Sequence, residues 1–396
     1  MGLVYSFQPS GVKATKAYAQ VPNDTIADFT VVSDTDGTRV NKDGLIEQGA
    51  ANVLRLDYSD GGCPVALLEP VSTNLVTDYL GITGFTITSD VTRTANYGIS
   101  PDGTKNSTRL QFDTTTADNR TFVQSFDVTA GENYTFSFYA KRNDTNPIID
   151  PSTSFQFQAG TSADPYLDVM AASIPVSSLT NEWKRYTTSG TMPSGMDKTR
   201  FHLRCDDNGV DIELYGIQLE NLSYATSVIP TTSGVVTRSA NTMETGNDLN
   251  NTINSVEGVL YVDMAALYSS SALDYRRVSL YNNSTNNRLT IEYTNNNNIN
   301  IYGSAGTSGV VNTGYGTSPQ DITDYNKIAL RWTSAGEYTL WINGVNRAND
   351  TYTGTDLDGL QRISLPYCGY KIKAIKIYNT ALTDAEMITL TTLGKI

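Results

Sequence analysis

The chain has 396 residues, with 28 lysines and arginines against 41 aspartates and glutamates and a formal net charge of −13. That acidic balance lacks the clustered positive charge a phosphate backbone requires, so no nucleic-acid partner is expected. A hydrophobic share of 39% can fill several modest cores, but no apolar run approaches the roughly 20 residues of a membrane-spanning helix, and the opening MGLVYSFQPSGVKATKAYAQ lacks the pattern of a signal peptide.

In chain order, residues 1–76 carry turn signals at Asp36-Gly37, Asp43-Gly44 and Gly61-Gly62 and little apolar periodicity. They read as an extended N-terminal module that is ordered only against a partner. Residues 77–232 read as a first β-sandwich. Within it, Tyr134, Phe136, Phe138 and Ala140 alternate with polar neighbours, the pattern of a half-buried strand. Phe201, Leu203 and Cys205 share one phase, which turns His202 outward as a structural or solvated residue. In 211–230 the apolar phase slips from Ile212 and Leu214 to Ile217 and Leu219, which predicts a β-bulge near Gly216.

A polar stretch, TTSGVVTRSANTMETGNDLN, reads as a linker to a second sandwich over 243–396. There Leu289, Ile291 and Tyr293 alternate, residues 295–298 form a hairpin loop of asparagines, and Ile299 and Ile301 resume the pattern. Ile328, Leu330 and Trp332 pair with Tyr338, Leu340 and Ile342 as a hairpin, and Asn343-Gly344 supplies the next tight turn. One short helix is expected at the end, where Thr383 and Glu386 form a capping box ahead of Met387 and Leu390. The predicted fold class is all-β, an N-terminal module followed by two sandwiches of jelly-roll type and a C-terminal helix.

Catalytic signals are weak. Cys63, Cys205 and Cys368 lie far apart without CxxC spacing, so they read as small buried hydrophobes rather than a zinc site or disulfide framework. A glycanase needs two carboxylates roughly 5 to 9.5 Å apart. The nearest grouping, Asp206 and Asp207 with Asp211 and Glu213, reads as a turn and strand edge.

Six short blocks in fixed order then carry a resemblance. Pro9-Ser10-Gly11-Val12-Lys13, Asp28-Phe29-Thr30, Thr38-Arg39-Val40-Asn41, Gly44-Leu45-Ile46-Glu47, Arg55-Leu56-Asp57-Tyr58 and Leu67-Leu68-Glu69-Pro70, followed by Thr73-Asn74-Leu75, resemble the leading segment of bacteriophage virion fibre and tail proteins. The match departs from that pattern at Asp34-Thr35-Asp36-Gly37. The strings VTAGENYTFS at 128–137, Glu182-Trp183-Lys184-Arg185 and Tyr224-Ala225-Thr226-Ser227 resemble carbohydrate-binding jelly rolls. Gly258-Val259-Leu260-Tyr261-Val262, the hairpin ending at Asn343-Gly344, Ile375-Lys376-Ile377-Tyr378 and 381–386 are similar to concanavalin A-like, laminin-G-like sandwiches.

The resemblance implies a non-enzymatic head- or tail-fibre protein at the virion surface. It would contact other virion proteins through residues 1–76, assemble as a homo-oligomer with a trimer favoured, and display glycan-binding sandwiches to the host surface. A capsid-stabilising protein without sugar binding is the alternative, and a depolymerase a third. Sugars present an apolar C–H face and a rim of hydroxyls, which suit tyrosine rings beside amides. With 24 tyrosines in the chain, the candidates are Tyr281, Asn282 and Asn283, then Tyr302 with the asparagines of 295–298, and Tyr315. Trp183, Trp332 and Trp341 are expected in cores or sheet faces. The resembled families also imply a structural calcium, for which Asn74, Asp78 and Glu220 are the candidate ligands.

Overall fold

Alternation builds strands along almost the whole chain, and the strands form antiparallel sheets in two compact units. One unit comprises residues 71–238 with 45–47, and the other 1–44, 48–70 and 239–396. This computed structural model describes all residues except 1, 14, 89, 114–119, 165–167, 247–248, 270–274, 283–285, 306–307, 316–320, 353–356, 368 and 395–396.

The contiguous unit is a sandwich of two five-stranded sheets. In one, Arg120–Asp127, Lys198–Cys205 and Ser154–Gly160 are central neighbours; in the other, Asp211–Glu220 lies between Thr108–Phe112 and Asn133–Arg142. Their inward phases meet in a phenylalanine core. Phe201 packs edge-on against Phe85, Phe138 and Phe157 at ring-centroid distances of 5.3 to 5.9 Å, the aromatic geometry that adds to simple burial. The predicted bulge is present. Ser137 pairs with Gln218 but Tyr139 pairs with Tyr215, so 211–220 carries one extra residue at Gly216, whose φ of 68° suits a residue without a Cβ.

The discontinuous unit corrects the expected domain borders. Residues 1–76 do not stand as a separate module, because most strands of 1–70 join the two large sheets of the C-terminal sandwich, while 45–47 and 71–76 belong to the contiguous unit. Leu3–Phe7 and Val65–Leu68 both pair with Tyr370–Tyr378 in an eight-stranded sheet. Phe29–Val32 pairs with Thr242–Glu244 in a nine-stranded sheet that runs through Arg362–Leu365, Arg276–Tyr281, Arg288–Tyr293 and Ile299–Ala305 to Ser308–Tyr315. The physical reason is long-range burial: Tyr5, Phe7, Phe29, Val31, Leu56 and Leu68 join Leu260, Val262, Ile291 and Ile375 in one core. Few apolar residues suffice in 1–70 when the rest of that core lies some 200 residues downstream.

The supposed linker is likewise structured. Val236–Arg238 pairs with Ser72–Asn74, and Thr242–Glu244 is the strand just described. The C-terminal hairpins follow the sequence reading, with Asn343 and Gly344 at φ of 49° and 84° in the tight turn. The helix, Asp384–Thr391, has both halves of its capping box. Met387 and Leu382 pack on Val259, Tyr261 and Trp341 at the outer face of the eight-stranded sheet.

Candidate functional site

The outer face of the nine-stranded sheet is a grid of polar and aromatic side chains in three cross-strand rows, because Val278, Leu280, Ile291 and Ile301 occupy the inward phase. In the first row Arg362, Tyr281 and Arg288 are successive register partners. The second is Ser364, Ser279, Thr290, Tyr302 and Asn312. The third is Arg277, Glu292, Asn300 and Gly314. Neighbouring strands lie about 4.8 Å apart, so directly opposite side chains touch. Ser279 and Thr290 hydroxyls are 2.9 Å apart, and the small side chains of Ser364, Ser279 and Thr290 in this row are buried.

The third row opens into a cleft of about 530 Å³ lined by Tyr275, Arg277, Glu292, Asn300, Tyr302 and Asn312 and by the asparagine turn. Its parts are held from below and from the sides. Arg277 Nε donates to Glu292 Oε2 at 2.6 Å, and its guanidinium lies 4.6 Å from the Tyr275 ring centroid and 5.2 Å from that of Tyr367. Asn300 Nδ2 donates to Glu292 Oε1 at 3.3 Å and to Asn312 Oδ1 at 3.1 Å. A Cβ at Gly314 would sit 2.2 Å from Asn300 Oδ1, so a glycine there lets the amide lie flat on the sheet. Arg288 stacks on Tyr302 at 4.8 Å. In the loop, Thr294 Oγ1 accepts from the backbone N–H of Asn298 at 3.2 Å, and Asn297 adopts a φ of 60°, a region asparagine tolerates.

The tyrosine candidates divide. Tyr302 lines this cleft together with the asparagine turn. Tyr281 lies beside a second cleft of about 540 Å³ lined by Lys16, Ile26, Val32, Glu244 and Arg362. Its hydroxyl donates to Glu244, and Arg362 Nη1 donates to it at 3.2 Å. Burial and then the Glu244 hydrogen bond push the Tyr281 pKa up. Asn282 is tied to backbone instead, its Nδ2 donating to Asp358 O at 3.4 Å. Tyr315 is in register with buried Ile299; its side chain and Asn283 lie outside the described residues.

Sequence reasoning missed Tyr275, Arg277, Glu292, Asn300 and Asn312 of the cleft and Tyr367 beside it. Tyr275 was within reach, because stepping back two positions from Arg277 continues the outward phase. Tyr367 follows Pro366 in a loop, where no periodicity points to a face.

The calcium candidates do not fit an ion. Glu220 is fully buried, and its oxygens accept from Ser72 Oγ at 2.7 Å, Gln218 Nε2 at 2.6 Å, Thr226 N at 3.0 Å and the Thr226 hydroxyl. Asn74 Oδ1 accepts from Val76 N and Leu219 N at 3.0 and 3.1 Å. Asp78 caps a turn, accepting from Leu80 N and from both donors of Thr83. A cation would face N–H and O–H hydrogens at each of these oxygens. No cluster of metal-ligating side chains occurs among the described residues.

The acidic grouping of the contiguous sandwich is also structural. Arg109 Nε donates to Asp211 Oδ1 at 2.8 Å, Lys141 Nζ is 3.2 Å from Glu213, and Arg204 Nε donates to Asp206 at 2.7 Å. Asp207 accepts from the backbone of Ile149 at 3.1 Å. His202 is 7% exposed rather than solvated; burial, then Arg200 and Arg204, lower its pKa to about 4. Cys205 is buried as expected, but Cys63 is exposed, because Gly61-Gly62 places it in a surface turn; Cys368 lies outside the described residues. Trp332 is in the core and Trp341 under the helix, while Trp183 is half-buried and donates to Ile99 O at 2.9 Å.

No protein-family model matches the chain, and no curated protein sequence matches it. Three solved structures that resemble part of it come from different sources. One is the CBM40 of Ruminococcus gnavus IT-sialidase bound to alpha2,3 sialyllactose, at 16% identity and TM-score 0.30 over 35% of this chain and 83% of that one. Another is botulinum neurotoxin type C, whose cell entry depends on interaction with two ganglioside molecules, at 11% identity and TM-score 0.32 over 38% of this chain and 39% of that one. The third is the enzymatically active domain of Bacteriophage CBA120 tailspike protein 4, at 19% identity and TM-score 0.29 over 37% of this chain and 21% of that one.

Proposed function

We propose that the outer face of the nine-stranded sheet binds glycan, and that the chain is a non-enzymatic adhesion protein. The observation that carries this reading is the grid itself: Tyr275 and Tyr302 rings border amides and one carboxylate–guanidinium pair that are already hydrogen-bonded into place. Rings offer flat surfaces to sugar C–H groups, and the amides offer donors and acceptors to hydroxyls. A surface fixed before binding also loses less entropy on association.

The non-enzymatic part rests on the carboxylates. Among the described residues lining the tyrosine cleft, Glu292 is the one carboxylate, and Arg277 holds it. A glycosidase of two-carboxylate type would need a second, protonated partner within about 9.5 Å. In the acidic cleft of the contiguous sandwich, lined by Asp90, Asp113, Asp144 and Asp211, Asp211 pairs with Arg109 and Asp144 with Arg142.

The biological setting we propose is a virion surface, reached from the ordered leading blocks of the sequence, with a host-surface glycan as ligand and a homotrimer as the assembly. In this reading residues 1–70 brace the adhesive sandwich, since their strands belong to its sheets, and are not a detachable anchor. A glycan array probed with the full chain and with Tyr302→Ala tests the adhesion reading. Binding by the parent and about tenfold weaker binding by the variant is expected, one ring contact being worth roughly 1.4 kcal/mol. Uniform silence from the parent favours the capsid-stabilising alternative.

A further inference from the structure

The second cleft lies on the same outer face of the nine-stranded sheet as the tyrosine cleft. Phe29, Val31, Met243 and Ile363 turn into the core, so Thr30, Val32, Glu244 and Arg362 take the outward phase, and Lys16 and Ile26 complete the lining. Ile26 and Val32 are 42% and 48% exposed, which leaves apolar surface open beside charged groups.

One cross-strand row joins the two clefts. Lys16 is the register partner of Thr30, Thr30 of Glu244 and Glu244 of Ser364. From Ser364 the row continues through Ser279 and Thr290 to Tyr302 and Asn312. Seven strand-to-strand steps of about 4.8 Å put its ends roughly 30 Å apart, a span that one sugar ring cannot cover and a chain of several can. The middle of the row is buried, so a ligand crossing it meets the neighbouring row instead. There Arg362 lies 5.3 Å from the Tyr281 ring centroid, Tyr281 is the register partner of Arg288, and Arg288 lies 4.8 Å from the Tyr302 ring centroid. Guanidinium and ring thus alternate from one cleft to the other.

The chain has a net charge of −13, yet this strip has the opposite sign. Among the described residues of the clefts and the strip, Lys16, Arg277, Arg288 and Arg362 stand against Glu244 and Glu292. Arg362 holds Glu244 and Arg277 holds Glu292. Lys16 Nζ donates to Thr30 Oγ1 at 2.9 Å and Arg288 lies on its ring; neither meets a carboxylate among the described residues. Screening limits the reach of an exposed charge to about 8 Å at physiological ionic strength, so the local sign of this face acts on a ligand lying against it.

We propose that the two clefts are the end subsites of one site for an acidic polysaccharide, whose sugar rings rest on Tyr281 and Tyr302 and whose anionic groups lie against Lys16 and Arg288. This rests on the glycan reading of the tyrosine cleft and adds to it the charge and the length of the ligand. Two modest subsites filled by one chain bind it more tightly than either alone, because the second contact is made within an existing complex.

Affinity electrophoresis of the full chain through gels containing polygalacturonate, hyaluronate, alginate, heparin or neutral dextran tests the proposal, followed by titration with length-graded fragments of the polymer that retards it most. Retardation by an acidic polymer and not by dextran is expected, weakening as salt rises, with affinity increasing with fragment length. Lys16→Gln should bind the polymer about tenfold more weakly, the loss of one charged hydrogen bond, and bind the shortest fragments as the parent does; Lys16→Arg should restore the polymer affinity. Tyr302→Ala should weaken short and long fragments alike. Retardation by dextran alone, equal affinity for short and long fragments, or a Lys16→Gln variant indistinguishable from the parent would overturn this proposal and leave the adhesion reading standing. Retardation by none of the polymers would overturn both.

Discussion

The two sandwiches use their aromatic residues in opposite ways. Nine of the eleven phenylalanines form the core of the contiguous unit, whereas the discontinuous unit packs a largely aliphatic interior and sets Tyr275, Tyr281, Tyr302 and Tyr367 outside it. Phenylalanine has no polar tip and gains only by burial; tyrosine can lie half-buried with its hydroxyl in water. The first sandwich is thus built as a stable body and the second as a surface.

The sharpest way to break that contrast is at its densest point. Phe201→Ala empties the centre of the phenylalanine core, and a cost of about 3–5 kcal/mol is expected from large-to-small core replacements. Denaturant unfolding should register this loss in the contiguous unit. A cost under about 1 kcal/mol would mean that Phe201 is not the keystone its ring contacts imply.

Next in size is Glu220. Its carboxylate accepts from four donors in the closing turn of that unit, so Glu220→Ala leaves buried donors unmet and should cost about 2–4 kcal/mol. Chelator treatment should leave the melting temperature of the parent unchanged. A chelator-sensitive melting temperature would restore calcium to the account.

Acid provides a smaller lever. His202 is neutral in the fold with a pKa lowered to about 4, while the unfolded chain protonates it near pH 6.5. The stability is therefore intact above pH 6.5 and is lost as pH falls toward 4, because the unfolded state binds the proton first. Relative to His202→Gln, the parent should lose about 2–3 kcal/mol across that window. Parallel stability–pH curves for the two proteins would refute the buried, arginine-flanked placement.

How far the sequence disclosed this contrast follows from distance along the chain. Local devices were legible: the phase slip at Gly216, the Asn343-Gly344 turn, the Thr383–Glu386 box and the alternation of Asn133–Arg142 each depend on neighbours within a few residues. The domain borders were not, since the pairing of Leu3–Phe7 with Tyr370–Tyr378 spans most of the chain and leaves only a short, weakly periodic strand as its signal. Tyr302 was found because it follows an asparagine hairpin. Its companions on the grid meet it only through register.

Amide and side-chain NMR of the full chain during titration with a glycan found on the array tests the central claim most directly. The account predicts shift changes concentrated in Arg288–Tyr293, Ile299–Ala305 and the Asn300 and Asn312 side-chain amides, with the phenylalanine-cored sandwich unmoved. Changes confined to residues 71–238 would contradict it, and would place recognition on the unit assigned here to stability.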